Sequence, residues 1–358
     1  SSSGKKRPSP SPAIMPFLTE KLLPERYRAD LASLISVTQP SALVTYPDFE
    51  LEARAALKPD GSVRSVIISN QVKPPGEVDF LRAAPTRCAA PTRSLGGSKR
   101  ESADIALLQH SSGTTGLQKG VALSHQAVLN QLDSYRLALC MRDEDIFVSW
   151  LPLYHDMGLI ACFLMPILLG YPLVLISPFD WVRAPYRLMQ AVSRYKGTLS
   201  WLPNFAYNFC AQKIRDRDLE GVDLSSWRAI SNCSEPMRWE SHQAFYERFR
   251  RYGLRYEALT TCYAMAENVF AITQGGIHGQ VVVDEIDRDS LQIDRIARLP
   301  VDGKATIKML SAGRPIRNVV VRALDAHGID VPERHIGEIA LKSDCMLTEY
   351  FHRPDITK

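Results

Sequence analysis

The residues best suited to chemistry lie in one run, Ser111-Ser112-Gly113-Thr114-Thr115-Gly116-Leu117-Gln118-Lys119-Gly120. Its three glycines let the backbone turn tightly and point N–H groups at an anion. Four hydroxyls and the Lys119 ammonium add donors and positive charge. Between a strand and a helix, such a loop grips phosphate oxygens. It is not a Walker A loop: only two residues separate Gly116 from Lys119, and no Ser or Thr follows the lysine. The plain alternative is a Ser/Thr/Gly-rich surface loop, and the strand–helix context weighs against it. His110 adjoins the run and is a candidate to line the same site. His125, His242, His278, His327, His335 and His352 have no such support as catalytic groups.

The elements that must hold this loop follow from periodicity. Residues 105–108 read as a strand and 124–139 as a helix, with Ser124 as N-cap. Beyond them strands at 146–151, 198–202, 228–231 and 256–260 alternate with helices at 185–195, 206–215 and 240–252. Pro185 suits a first helical turn. This alternation predicts an α/β fold, parallel sheets flanked by helices in an αβαβα-like arrangement. Upstream, 22–35 has helical spacing, and 42–45 and 63–68 look like short buried strands. From residue 280 the texture changes to short β-rich runs at 281–283, 319–323 and 336–341. These predict a small antiparallel, barrel-like region toward the C-terminal end.

The expected organisation is a disordered leader or cloning remnant at 1–15, a first α/β part at 16–82, a linker at 83–102, a nucleotide- and acyl-binding α/β part at 103–280 and a β-rich part at 281–358. The linker carries the small repeat Ala-Ala-Pro-Thr-Arg at 83–87 and 89–93.

Composition excludes several classes. The chain has 358 residues, 45% hydrophobic and 23% charged, normal for a globular protein. A net charge of +4 with scattered Lys and Arg argues against nucleic-acid binding. The seven cysteines, Cys88, Cys140, Cys162, Cys210, Cys233, Cys262 and Cys345, include no Cys-x-x-Cys pair. They read as buried thiols in a reducing cytoplasm, where the protein is expected to reside. The uncharged stretch 157–177 is interrupted by Pro166, Gly170 and Pro172. It predicts a buried helix of about ten residues and then a buried strand, not a membrane span.

The loop 111–120 resembles the signature loop of the adenylate-forming superfamily, which includes acyl-CoA synthetases, adenylation domains, luciferases and fatty acyl-AMP ligases. Further segments agree, in family order. They are Trp150-Leu151-Pro152-Leu153-Tyr154-His155-Asp156-Met157-Gly158-Leu159, Pro203 to Cys210, Asn232-Cys233-Ser234-Glu235-Pro236, Cys262-Tyr263-Ala264-Met265-Ala266-Glu267 and Ser311-Ala312-Gly313-Arg314-Pro315. The resemblance, closest to fatty acyl-AMP ligases, implies activation of a carboxylic acid with ATP and Mg2+. It implies an ATP site made of Ser111, Ser112, Gly113, Thr114, Thr115, Gly116, Lys119, Ser234, Glu235, Pro236, Cys262, Tyr263, Ala264 and Met265. Thr114, Thr115 and Lys119 would hold the β- and γ-phosphates, and Tyr263 would stack on adenine. Glu267, with Thr114, would hold Mg2+. His155, Asp156, Met157, Asn204, Phe205 and Cys233 would face the acyl substrate. His155, Lys119 and Glu267 are the expected catalytic set. Without the resemblance, His155 reads as a structural histidine and Tyr263 with Glu267 as a helix face.

The match departs in places. Gln118 stands where the family usually has Pro, and Ser234 where it has Gly or Ala. Ala264 replaces a Gly, at a cost of about 1 kcal/mol if the backbone there needs positive φ. The family's small C-terminal domain and its ribose-binding segment do not appear, which implies a truncated large domain of weak activity on its own. The polar stretch 284–309 reads as a surface insertion of the kind that marks fatty acyl-AMP ligases. It favours transfer to a carrier-protein thiol over the alternatives, an acyl-CoA synthetase or a non-catalytic nucleotide-binding module.

Overall fold

Tyr27, Leu31 and Ile35 recur every four residues, and in the computed structural model they form the buried stripe of helix α1, Pro24–Thr38. The structure describes residues 24–69, 101–110 and 119–357. The leader 1–15, nearly all of the linker 83–102 and the loop residues 111–118 lie outside the described residues. Contacts divide the chain into two units, Leu129–Met346 and the remainder.

In the first unit, α1 packs on α2 (Glu50–Ala55) through Ala53 and Ala56, with Leu43 and Val63 against the same cluster. Strands β1 (Ala42–Thr45) and β2 (Ser65–Ile68) pair in parallel, Ala42 opposite Ser65. They were expected to be buried. Instead exposed and half-buried positions alternate and only Ile68 is fully buried, because the helices cover one face and leave Val44 outside. Strands β3 (Ile105–His110) and β4 (Gly120–Ser124) are antiparallel, with His110 opposite Gly120. Ser124 Oγ then accepts the Ala127 N–H at 3.1 Å, the predicted cap of α3 (His125–Ala138).

The second unit is built on β5 (Phe147–Ser149), β6 (Leu173–Leu175), β7 (Leu199–Leu202), β8 (Ala229–Asn232) and β9 (Leu259–Ala264). All five are parallel, in the order β6-β5-β7-β8-β9. Every residue of β7 and β8 is buried, as in a sheet covered on both faces. Strand β9 starts later than its sequence suggests, since Tyr256–Ala258 makes a 3-10 turn. Strand β10 (Ala271–Gly275) returns antiparallel beside β9. The stretch read as a polar surface insertion is an ordered hairpin, β11 (Val283–Asp287) with β12 (Thr306–Leu310). Lys308 Nζ lies 4.2 Å from the Trp239 ring centroid, and Arg334 pairs with Asp284 at 3.1 Å. Those contacts order it where hydrophobic periodicity is weak. Strand β13 (Arg314–Pro315) adds to β10, and β14 (Val319–Leu324) pairs antiparallel with β15 (Glu338–Ser343). The barrel-like region thus takes the form of separate two-stranded antiparallel sheets. Strand β16 (Glu349–Tyr350) returns to the first unit, antiparallel to β4.

The uncharged stretch becomes a π-helix, Met157–Leu164, then α4 (Met165–Leu169), ended by Gly170 at φ 78°. Its strand β6 is only half-buried. Among the described residues no helix is long and apolar enough to cross a membrane. Helices α5 (Pro178–Arg183), α6 (Tyr186–Tyr195), α7 (Asn204–Lys213) and α8 (Trp239–Phe249) connect the strands. Helix α7 begins two residues before the predicted start, directly after Pro203. Of the cysteines expected to be buried, Cys88 lies outside the described residues and Cys140 is exposed, held at φ 46° just past α3, while Cys162, Cys210, Cys233, Cys262 and Cys345 are buried.

Candidate active site

A parallel sheet gathers loops at the carboxyl ends of its strands, the usual place for a ligand in open α/β folds. Here four of the quoted segments follow such ends. The 150–159 segment follows β5, Asn204 and Phe205 follow β7, Cys233 to Pro236 follow β8, and Tyr263 to Glu267 close β9.

After β5 the chain turns at Pro152 to His155 and enters the π-helix. Asp156 caps it, its Oδ1 accepting the Met157 N–H at 2.7 Å. The same oxygen lies 2.7 Å from His155 Nδ1. Burial alone pulls the His155 pKa down, but the Asp156 hydrogen bond and charge outweigh it and hold the imidazole above its ordinary range. Gly158 makes this turn possible. A Cβ there would lie 2.2 Å from the Pro152 carbonyl oxygen, so only glycine fits. This requirement was legible only in the Gly itself.

The turn after β8 is braced from below. Asn204 Oδ1 accepts from Asn232 Nδ2 at 3.1 Å and from the Arg238 N–H at 3.0 Å, while Asn204 Nδ2 donates to Ser241 Oγ at 3.1 Å. Its amide, expected to face the acyl group, is committed to these internal bonds. Ser241 and Asn232, the other members, carried no signal in the sequence. Glu235 Oε2 accepts the Phe205 N–H at 2.9 Å, satisfying an otherwise unpaired donor in the first turn of α7. Ser234 sits at φ 69°, in the left-handed region. The strain foreseen at Ala264 therefore falls on Ser234, since Ala264 lies in β9 with ordinary strand backbone. Cys233 is fully buried, and its thiol is pushed well above its ordinary range by a hydrogen bond with Cys262 and by burial. Such a thiol is no nucleophile.

Between β9 and β10 the backbone is irregular three times. Ala266–Asn268 forms a 3-10 turn that carries the half-buried Glu267. Val269 follows at φ 62°, ψ −54°, with the Phe270 N–H donating to the Asn268 carbonyl at 2.6 Å. That is a rare γ-turn on a buried β-branched residue, a conformation that costs on the order of 1–3 kcal/mol. A bulge between Ala271 and Thr273 then shifts the register opposite Tyr263 and Ala264. Burial, and then the Glu267 charge, raise the Tyr263 hydroxyl pKa. Gly313 pins the far side of this hairpin at φ 93°, where a Cβ would lie 2.1 Å from the Gln274 carbonyl carbon. The Ser311 to Pro315 segment is thus a backbone clasp: Thr261 Oγ1 and Thr273 Oγ1 donate to the Ser311 and Ala312 carbonyls at 2.7 and 2.6 Å.

In the first unit, Lys119 leads directly into β4, and its Nζ lies 5.1 Å from the Tyr350 ring centroid. His110 ends β3 and is buried, with both ring nitrogens lacking a hydrogen-bond partner among the described residues, and burial lowers its pKa. The other phosphate-loop residues, Ser111, Ser112, Gly113, Thr114, Thr115 and Gly116, lie outside the described residues.

The family model for AMP-binding enzymes matches residues 22–351. A medium-chain-fatty-acid–acyl-carrier-protein ligase of Teredinibacter turnerae is 30% identical over 256 residues, 71% of this chain and 40% of that protein. A long-chain-fatty-acid–AMP ligase of Mycobacterium tuberculosis is 32% identical over 258 residues, 70% of this chain and 44% of that protein. Among solved structures, a fatty acyl-adenylate ligase from L. pneumophila, in complex with acyl adenylate and pyrophosphate, superimposes with a TM-score of 0.79 at 30% identity. It matches 96% of this chain and 56% of its own. The chain thus spans less than half the length of these two sequence relatives. With 22–351 matched and the expected segments at the carboxyl ends of one parallel sheet, the chain belongs to the family of AMP-binding enzymes.

Proposed function

We propose that the protein activates a fatty acid with ATP, forming an acyl-adenylate and pyrophosphate, and hands the acyl group to the phosphopantetheine thiol of a carrier protein. The observation that carries this reading is the placement of His155, Glu235, Tyr263 and Glu267 at the carboxyl ends of β5, β8 and β9 in one parallel sheet. The fatty-acid ligases among the relatives support the substrate class.

The acid carboxylate attacks the α-phosphorus of ATP; the new O–P bond forms as the bond to pyrophosphate breaks. Little covalent chemistry falls to the protein, whose work is positioning and charge neutralisation. Lys119 meets the leaving phosphates. His155, its proton secured by Asp156, sits where acid and nucleotide meet. Tyr263 offers a ring face to adenine, and the Ser234 to Pro236 turn walls the base. Phe205, 46% exposed at the start of α7, and Met157 border the acyl side. Among the described residues no three His, Cys, Asp or Glu side chains gather into a metal cage. One half-buried carboxylate suits Mg2+, which keeps waters and phosphate oxygens as its other ligands. Glu267 would hold it there, and its charge would offset that of the phosphates.

The test is the full-length protein given medium- or long-chain fatty acids with ATP. Acyl-AMP detected by mass spectrometry, followed by loading of a holo carrier protein, is the expected result. Efficient acyl-CoA formation would overturn the acceptor, and nucleotide binding without acyl-AMP for any acid would overturn the enzyme reading.

A further inference from the structure

The segment 348–357 of the first unit lies against the start of β4, beside Lys119. Its strand β16 pairs with β4, Tyr350 opposite Val121. The Thr348 N–H donates to the Ala122 carbonyl at 2.8 Å, and the Phe351 N–H donates to the Gly120 carbonyl at 2.7 Å. The Phe351 Cβ lies 3.5 Å from where a Cβ on Gly120 would be, so the two backbones meet closely beside the lysine. The next turn is closed on itself. Tyr350 N–H donates to Thr357 Oγ1 at 3.0 Å, and Arg353 grips Asp355 with two bonds of 2.8 and 2.7 Å. Two backbone bonds therefore hold residues 348–351 against the start of β4, and three more close the turn behind Tyr350. There the Lys119 ammonium lies within cation–π range, 5.1 Å from the ring centroid. The Asp355 carboxyl is held below its ordinary range, chiefly by Arg353 and also by the Lys119 charge, so ring and carboxylate both feel the same cation.

We propose that Tyr350 is a positioning residue for Lys119: its ring seats the ammonium beside Gly120 so that it is already ordered when a polyphosphate arrives. This rests on the assignment of Lys119 to the ATP phosphates. A lysine loses much rotamer freedom when its ammonium is fixed, and a ring that holds the ammonium without neutralising it removes part of that loss at binding. A carboxylate packed directly on the ammonium would compete with the phosphates for the charge; an aromatic face does not neutralise it.

The experiment compares Tyr350→Leu and Tyr350→Phe in the full-length protein. One arm measures steady-state adenylation, and a second measures inorganic pyrophosphate binding by calorimetry. Tyr350→Leu should raise the KM for ATP and the pyrophosphate Kd about three- to tenfold, the range a cation–π contact spans, with kcat for a saturating substrate little changed. Tyr350→Phe, which keeps the ring and loses the hydroxyl, should behave as wild type. A Tyr350→Leu protein with normal thermal stability and unchanged KM and Kd would overturn the proposal. So would a Tyr350→Phe protein as impaired as Tyr350→Leu, since the hydroxyl would then be the active group. If Tyr350→Leu fails to fold, Tyr350→Trp replaces it and should hold or tighten Kd; a weakening would count against the seat. Wild-type protein that forms no acyl-AMP would sink the function but leave the pyrophosphate arm readable.

Discussion

The two ends of the parallel sheet are built on opposite terms. At the amino end, Asp145 is fully buried and every bond it makes is short. It accepts from Arg228 at 2.5 and 2.7 Å, from Thr198 Oγ1 at 2.8 Å and from the Arg142 N–H at 2.7 Å. At the carboxyl end, Ser234 and Val269 hold positive φ, eight residues run as a π-helix, and Glu267 and His155 stay half-open. The Asp145 cluster is closed and satisfied; the turns at the carboxyl end combine irregular backbone with half-open side chains where ligands are expected.

The sharpest way to break this comparison is at Asp145. Asp145→Ala leaves Arg228, 13% exposed, without its carboxylate and should cost about 3–5 kcal/mol in denaturant unfolding. The pH dependence follows. Burial opposes the Asp145 charge, but Arg228 and the other donors hold its carboxyl below the ordinary range. Its contribution is therefore present above the unfolded pKa, about 3.9, and is lost as pH falls through the lower folded value. The variant should show a flatter acid limb.

At the carboxyl end, Gly158→Ala forces a methyl onto the Pro152 carbonyl and should cost about 3 kcal/mol. Acyl-AMP formation should fall with it; a stable, active variant would show that this turn gives way easily. Asp156→Asn tests the charge of the half-open histidine and should cost about 1 kcal/mol or less. With burial unopposed, the His155 pKa should drop, as read by NMR titration. In wild type that pair's stabilisation is present below about pH 6.5 and fades as pH rises through the raised folded value; the variant should lose this slope. The smallest expected effect has the opposite sign. Ser234→Gly should stabilise by about 0.5–1 kcal/mol through relief of the left-handed φ. No gain would mean that the Ser234 hydroxyl offsets the strain.

What the sequence disclosed, and what it hid, follows the same division. The parallel sheet was legible because buried strands are continuous apolar runs between amphipathic helices, and the Ser124 cap and Pro185 start are local signals. The hairpin over 283–310 was not, because its strands alternate weakly and are ordered by Trp239 and Arg334, far along the chain. The site residues were legible by type. Their supports were not: nothing local distinguishes Asn204 as a brace or reveals that the Glu235 carboxylate ends on a helix N–H. Strain at Ser234 rather than Ala264 is a property of the turn after β8, invisible until the chain is folded.

Asn204 carries one more consequence. One amide serves a strand end, a helix start and the turn between them, so these parts cannot drift independently under mutation. On the proposed reading, Phe205 and Met157, outside this network, can vary one at a time. Asn204, Asn232 and Ser241 must change together or stay. An engineer who wants a new acyl pocket should redecorate the wall and leave this joist in place.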